Sequence, residues 1–184
     1  MNILLHICCA PCAIYPVEEL RSTGSLVTGF FFNHNIHPYQ EYRKRLETVR
    51  EYSAAAGLDV IVRDEYRLEE FLRAVASKPD ERCLYCYASR LEMAAAEAAS
   101  RGFDAFTTTL LYSRYQKHDV IRELGDRIGK NHGIPFLDTD FRKGWQKGID
   151  KSRELGLYRQ QYCGCIYSEQ ERYQPRDTPG KGRG

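Results

Sequence analysis

The chain has 184 residues, 42% of them apolar and 28% charged, a composition that excludes wholesale disorder and fits one domain with an ordinary core. Basic residues number 27 and acidic ones 25, and the last eleven residues hold three of the former and one of the latter. The remainder is electrically balanced, which excludes a global positive field as the means of holding a polyanion. No apolar run approaches the ~20 residues that cross a bilayer. The start, Met1-Asn2-Ile3-Leu4-Leu5, lacks the basic region and small-residue cleavage site of a secretory signal, so a cytoplasmic protein with no membrane partner is expected.

Residues 3–8 are apolar, without Gly or Pro, and predict a short buried strand ending before Ala10-Pro11. Residues 13–21 predict a helix closed near Gly24, and 26–32 a second strand. The polar loop Asn33-His34-Asn35-Ile36-His37-Pro38 follows, with His34 and His37 expected to face solvent. Residues 39–56 predict a helix with Gly57 as its C-cap. A third strand is predicted at 59–63, a helix at 68–76, and a long Ala-rich helix at 83–100 closed by Gly102. Further on come a fourth strand at 105–109, a helix at 118–131 with Gly133 after it, a short fifth strand at 135–138 and a helix at 144–154. The Pro/Gly-rich stretch 174–184 is expected to be a disordered tail, leaving a single domain over 1–173.

Strands that alternate with helices and read as continuous apolar runs predict a doubly wound, mainly parallel five-stranded α/β sheet of order 3-2-1-4-5. Ligands in such sheets bind beyond the carboxyl ends of the strands where strand order reverses, here between strands one and four. Cys8, Cys9 and Cys12 end strand one, and residues 107–112 end strand four. His6, inside strand one, reads as a hydrogen-bonded core histidine.

Seven cysteines stand in three groups: Cys8, Cys9 and Cys12; Cys83 and Cys86; Cys163 and Cys165. An odd number excludes complete intrachain pairing, and a reducing compartment points instead to metal or redox chemistry. Cys-x-x-Cys at a helix start presents both sulfurs to one side, and Gly164 frees the backbone between Cys163 and Cys165. Adjacent residues of an extended segment point opposite ways, so Cys8 and Cys9 are expected to serve two neighbouring sites. Four thiolates suit an iron–sulfur cluster and three remain for a single iron. A four-cysteine zinc site in an RNA-binding module, or a dithiol oxidoreductase, are the alternatives.

The segments His6-Ile7-Cys8-Cys9-Ala10-Pro11, Phe32 to Pro38 with Glu41-Tyr42-Arg43, Arg82 to Tyr87 with Arg90-Leu91, Thr108 to His118, Asp140 to Gly144 and Leu157 to Ser168 together resemble the epoxyqueuosine reductases of the QueH type. The resemblance spans residues 6–168. It implies a Rossmann-like domain related to the HUP class, with a C-terminal helical or loop segment closing a metal site. It implies a [4Fe–4S] cluster beside a mononuclear iron. It also implies reduction of the epoxide of epoxyqueuosine to queuosine at the wobble position of tRNA, with electrons from an unidentified donor. Cys-Cys-Ala-Pro-Cys stands where a HUP-type phosphate loop would lie, so ATP chemistry is not implied. Two positions depart from the family pattern: Cys12, where Asp can serve as iron ligand, and Arg114, where Pro is common.

Under that resemblance Cys9, Cys83, Cys86 and Cys163 are assigned to the cluster, and Cys8, Cys12 and Cys165 to the iron. Asp140, His118 and Tyr112 are the candidate proton donors to the leaving oxygen, with Asp119 a further one. His118 and Asp119 read equally well as helix caps, and Asp140 as a partner of Arg142. Basic residues interleaved with aromatics supply the candidate tRNA contacts Arg43, Lys117, Arg142, Lys143 and Trp145. The basic run 43–45 reads equally as a solvated helix face.

Overall fold

The computed structural model describes residues 1–175. The elements are β1 (Asn2–His6), α1 (Ala10–Ser22), β2 (Leu26–Phe31), α2 (Tyr39–Ala56), β3 (Val60–Val62), α3 (Leu68–Val75), α4 (Arg82–Ser100), β4 (Ala105–Thr108), α5 (His118–His132), α6 (Trp145–Glu154) and α7 (Ile166–Tyr173). One-turn 3-10 helices lie at Pro79–Glu81, Thr109–Tyr112 and Phe141–Gly144. The expected disordered tail falls, from residue 176 onward, outside the described residues.

The sheet is parallel, of order β3-β2-β1-β4, with Leu5 of β1 facing Gly29 of β2 and Thr107 of β4. Its apolar strands are buried on both sides: α1 adjoins α2 and α6, while α4 packs on α5, β1 and β4. This is the doubly wound architecture that continuous apolar strands dictate. Four strands form instead of five. The segment expected to supply the fifth makes a single bridge, Phe136 to Phe106. Pro135 has no N–H to donate, and Thr139 turns back to donate to the Leu137 carbonyl (3.1 Å), so no further ladder bond follows.

The loop between β2 and α2 departs most from expectation. His34 and His37 are each 1% exposed, walled in by Phe32, Phe71, Tyr85 and Tyr66. Short apolar strands end here against aromatic rings from α3 and α4, so the polar loop is roofed by them. Asn33 ties it down by donating to the Ile7 carbonyl (2.8 Å). His6 behaves as read: its Nε2 donates to the Phe32 carbonyl (3.2 Å) and its Nδ1 meets Thr108 Oγ1 (2.9 Å).

Burial lowers the His34 imidazole to about 3 and that of His37 to about 4. Both are neutral when folded, whereas an unfolded chain protonates them below about 6.5. Stability therefore falls as pH drops from about 6.5 toward those folded values, by about 1.4 kcal/mol per pH unit for each histidine. Both ring nitrogens of His37 lack a hydrogen-bond partner. Burial lowers the His6 imidazole to about 4 as well, so His37→Phe is expected to keep the stability seen at pH 7 and to flatten the histidine part of the acid slope by about a third, as read from urea midpoints between pH 7 and 5.

Candidate metal centre and cavity

β1 ends at His6, two residues before the chain bends at Cys8, and Cys9 is the extended residue ahead of α1. α1 begins at Ala10, three residues earlier than expected, with Pro11 in its first turn. This bend overturns the expectation that Cys8 and Cys9 point apart. Their sulfurs lie 3.8 Å apart, and those of Cys8, Cys9 and Cys12 all lie within 4.8 Å of one another. Tetrahedral thiolates about 2.3 Å from one ion stand roughly 3.8 Å apart, so the triad could hold a metal ion. Cys8 is its natural thiolate: it accepts from the thiols of Cys12 and Cys9 and from Thr109 Oγ1 (3.3 Å), which hold its pKa well below the ordinary thiol value. The burial of Cys9 and the negative charge of Cys8 push Cys9 up, and the same neighbouring sulfurs push up Cys12.

Cys83 and Cys86 face one side of the first turns of α4. Cys165 packs beside Cys86, together with Phe71 and Val75. Cys163, on the same loop, is exposed and accepts from Gln116 Nε2 (3.3 Å). Cys165 thus stands with Cys86, and Cys9 with Cys8 and Cys12. This neighbourhood of sulfurs differs from the grouping assigned under the resemblance, which placed Cys9 with Cys83, Cys86 and Cys163, and Cys165 with Cys8 and Cys12. Four sulfurs receive a donor from the surrounding protein: Thr109 to Cys8, Gln160 Nε2 to Cys12 (3.4 Å), Arg90 Nη2 to Cys86 (3.0 Å) and Gln116 to Cys163. Such donors suit thiolates that carry negative charge, as metal ligands do.

The C-terminal loop is held by Arg45, which is 1% exposed. Its guanidinium pairs with Glu41 (2.7 Å) and donates to the carbonyls of Cys163 (2.8 Å) and Tyr162 (3.0 Å). Arg45 therefore belongs to the interior and not to a solvated face. The His37 backbone N–H donates to the Gly164 carbonyl (2.7 Å), and Tyr162 returns its hydroxyl to the His37 carbonyl (2.6 Å).

Cys8, Cys12 and Cys163 open onto a cavity of about 610 Å³ whose wall includes Tyr112, Trp145 and Arg159. Among the described residues four arginines line it, Arg45, Arg90, Arg159 and Arg172, and no carboxylate does. Gly148 of α6 allows the tight seating of Tyr112, because a Cβ there would strike the phenol oxygen. Trp145 stacks on Tyr112 (5.2 Å between ring centres), and Tyr115, 85% exposed, stands edge-on to it.

Of the expected proton donors only Tyr112 reaches this cavity. Its hydroxyl donates to the Trp145 carbonyl (2.9 Å), and burial beside Cys12 and Cys9 raises its pKa, so it keeps its proton. Asp140 is removed from that role by its partner. Arg142 grips both carboxylate oxygens and holds the carboxyl well below its usual range. His118 spends Nε2 on the Ser113 carbonyl (2.8 Å), outside the cavity wall, and Asp119 is fully exposed. Among the expected RNA contacts, Trp145 lines the cavity, while Arg43, Arg142 and Lys143 are tied up with Asp64, Asp140 and Glu19. Lys117 is exposed beside the Cys83 turn. Arg45, Arg90, Arg159 and Arg172 were not expected at the site. The i,i+4 spacings Glu41–Arg45 and Cys86–Arg90 are the one sequence signal that points to the first two.

A profile of the epoxyqueuosine reductase QueH family matches residues 3–171. An epoxyqueuosine reductase QueH of Dehalococcoides mccartyi is 37% identical, over 97% of this chain and 98% of its own. Another, of Thermotoga maritima, is 36% identical, over 100% of this chain and 98% of its own. Among solved structures, a predicted subunit of tRNA methyltransferase from Methanocaldococcus jannaschii shares the fold at a TM-score of 0.56 and 15% identity, over 84% of this chain and 75% of that one. With a match of this extent running through all three cysteine groups, the chain belongs to the QueH family of epoxyqueuosine reductases and is an oxidoreductase.

Proposed function

We propose that this protein reduces the epoxide of epoxyqueuosine in the anticodon of tRNA to the cyclopentenediol of queuosine, in the cytoplasm, with a [4Fe–4S] cluster and a single iron as its metals. The observation that carries the reading is the pairing of a compact sulfur triad with a cavity walled by arginine and aromatic residues and by no carboxylate. No described helix is long and apolar enough to cross a membrane.

The donor sets fit those groups. Cys8, Cys9 and Cys12 have the spacing that one ion takes. Cys83, Cys86, Cys163 and Cys165 supply the four thiolates of a cluster, a larger body that needs no such close approach of sulfurs. When bound, the cluster supplies single electrons and the iron polarises the leaving oxygen as a Lewis acid. The overall change consumes two electrons and two protons and releases water. Tyr112, alone of the four candidate donors, lines the cavity, where it holds a proton at its phenol oxygen. The 610 Å³ cavity is large enough for a modified nucleoside, and the Trp145–Tyr115 ledge at its mouth offers a flat face for a neighbouring base. Arg114 lies over the Trp145 ring, and Arg172 lines the cavity from α7. Neither is bound to a carboxylate in the described residues, so both are free for phosphate.

Anaerobic purification with metal analysis tests the cofactor class. Iron with sulfide and a brown colour is expected; a colourless protein holding zinc, or reversible thiol oxidation without metal, would overturn the reading. Serine variants test the ligand grouping. Cys165→Ser is expected to bleach the cluster absorption. Cys9→Ser is expected to keep that absorption and to lose about one iron, because three thiolates hold the separate ion.

The chain has one tryptophan, so Trp145 fluorescence reports on this ledge alone. An anticodon stem-loop is expected to quench it. Arg114→Glu and Arg172→Glu should each weaken binding several-fold and lower the salt slope by about one. Arg142→Glu, already neutralised by Asp140, should weaken it less. Equal effects at all three positions would place the RNA elsewhere.

A further inference from the structure

Arg90 is a buried charge to which the proposed reaction gives no task. It is 2% exposed. On α4 it follows Cys83 and Cys86 at helical spacing, so all three share one face. Its Nε donates to the Cys86 carbonyl (2.9 Å) and its Nη2 to the Cys86 sulfur (3.0 Å). The other fully buried arginine, Arg45, has Glu41 as its counter-ion. No ion pair joins Arg90 to a carboxylate among the described residues. The acidic groups that act most strongly on it are the thiols of Cys86, Cys163 and Cys8, followed by the phenol of Tyr87. It also lines the cavity with Cys8, Cys12 and Cys163, so it stands between the two sulfur groups.

A buried guanidinium without a counter-charge is strongly destabilising. A neutral thiol cannot balance it, whereas metal-bound thiolates can. Since reduction adds a further negative charge to a metal–thiolate group, a fixed positive charge and a hydrogen bond to sulfur both favour taking up the electron. The low dielectric of the site enlarges the effect.

We propose that Arg90 is the counter-charge of the Cys83, Cys86, Cys163 and Cys165 group, a positioning residue that favours one-electron reduction of the metal held there. The proposal rests on the reading that these cysteines bind a cluster. The fork of the guanidinium, spanning the Cys86 carbonyl and sulfur at once, fixes where the charge sits.

The test uses the full-length protein, loaded anaerobically and titrated with dithionite in the presence of redox mediators, with absorption and electron paramagnetic resonance as readouts. Arg90→Gln keeps a hydrogen-bond donor and removes the charge. It is expected to lower the equilibrium constant for one-electron reduction at least tenfold, which is a potential about 59 mV more negative. Arg90→Lys restores the charge and is expected to recover most of the shift. An unchanged potential in an iron-replete Arg90→Gln protein overturns the proposal, and so do equal shifts in the Gln and Lys variants. Should Arg90→Gln fail to retain iron, retention by Arg90→Lys supports the counter-charge and loss from both overturns it. A wild-type protein that binds no iron fails at the earlier step, the cofactor reading itself.

Discussion

The site depends on one buried ion pair. Glu41 and Arg45 lie a turn apart on α2, far in sequence from the last two cysteines, yet Arg45 spends its remaining donors on the carbonyls of Tyr162 and Cys163. Tyr158 adds its hydroxyl to the other oxygen of Glu41. Through these bonds the C-terminal loop is folded over the open end of the sheet, and Cys165 is delivered to Cys86. Removing one partner of such a pair leaves an uncompensated charge in the interior, a loss of about 3–5 kcal/mol. The loop would lose its anchor in the same step. The pair is thus less a source of net stability than the means of specifying where two sulfurs go.

Around this anchor the charges are sorted by exposure. On the surface, arginines and lysines are matched with carboxylates, as in Arg73–Glu69 or Lys130–Asp126. Such pairs contribute little. In the cavity wall, Arg45 alone of the four arginines is paired with a carboxylate among the described residues, and for Arg90 the Cys86 sulfur takes the place of one as acceptor. That arrangement suits a site that handles an anionic polymer at its mouth and thiolates at its floor. A carboxylate in the wall would repel both.

What the sequence made legible was periodic. α2 was predicted over the residues it occupies, because eighteen residues of helical pattern closed by Gly57 in a left-handed turn leave little choice. The parallel order of the first four strands followed from alternation with helices. Where pattern gives no direction, the expectations failed. A short apolar run at 135–138 looks the same whether it makes a ladder or one bridge. An extended chain would send Cys8 and Cys9 to opposite sides, and the chain instead bends there. Arg45 and Arg90 look like any helix-surface arginine until the loop that covers them is in place. Asp140 reads in sequence both as an acid and as a partner of Arg142, and the partnership is what forms. The burial of Arg45 and Arg90 is tertiary, and composition carries no trace of it.

The position of the triad has a further physical logic. Strand order reverses between β1 and β4, and there the N-terminus of α1 opens toward the cavity, the place where many α/β proteins hold a phosphate on free N–H groups. Here Pro11 removes one of those donors, and Cys9 occupies the cap without a side-chain bond to the helix. The partial positive charge of the helix end persists. What it meets is sulfur, and a thiolate is favoured at a helix N-terminus for the same electrostatic reason that a phosphate is. Thr109 at the end of β4 completes the exchange: it accepts from the Cys8 backbone N–H (3.1 Å) and donates to the Cys8 sulfur. An architecture suited to holding nucleotides thus holds thiolates through the chemistry of one short loop, with the parallel sheet beneath it unaltered.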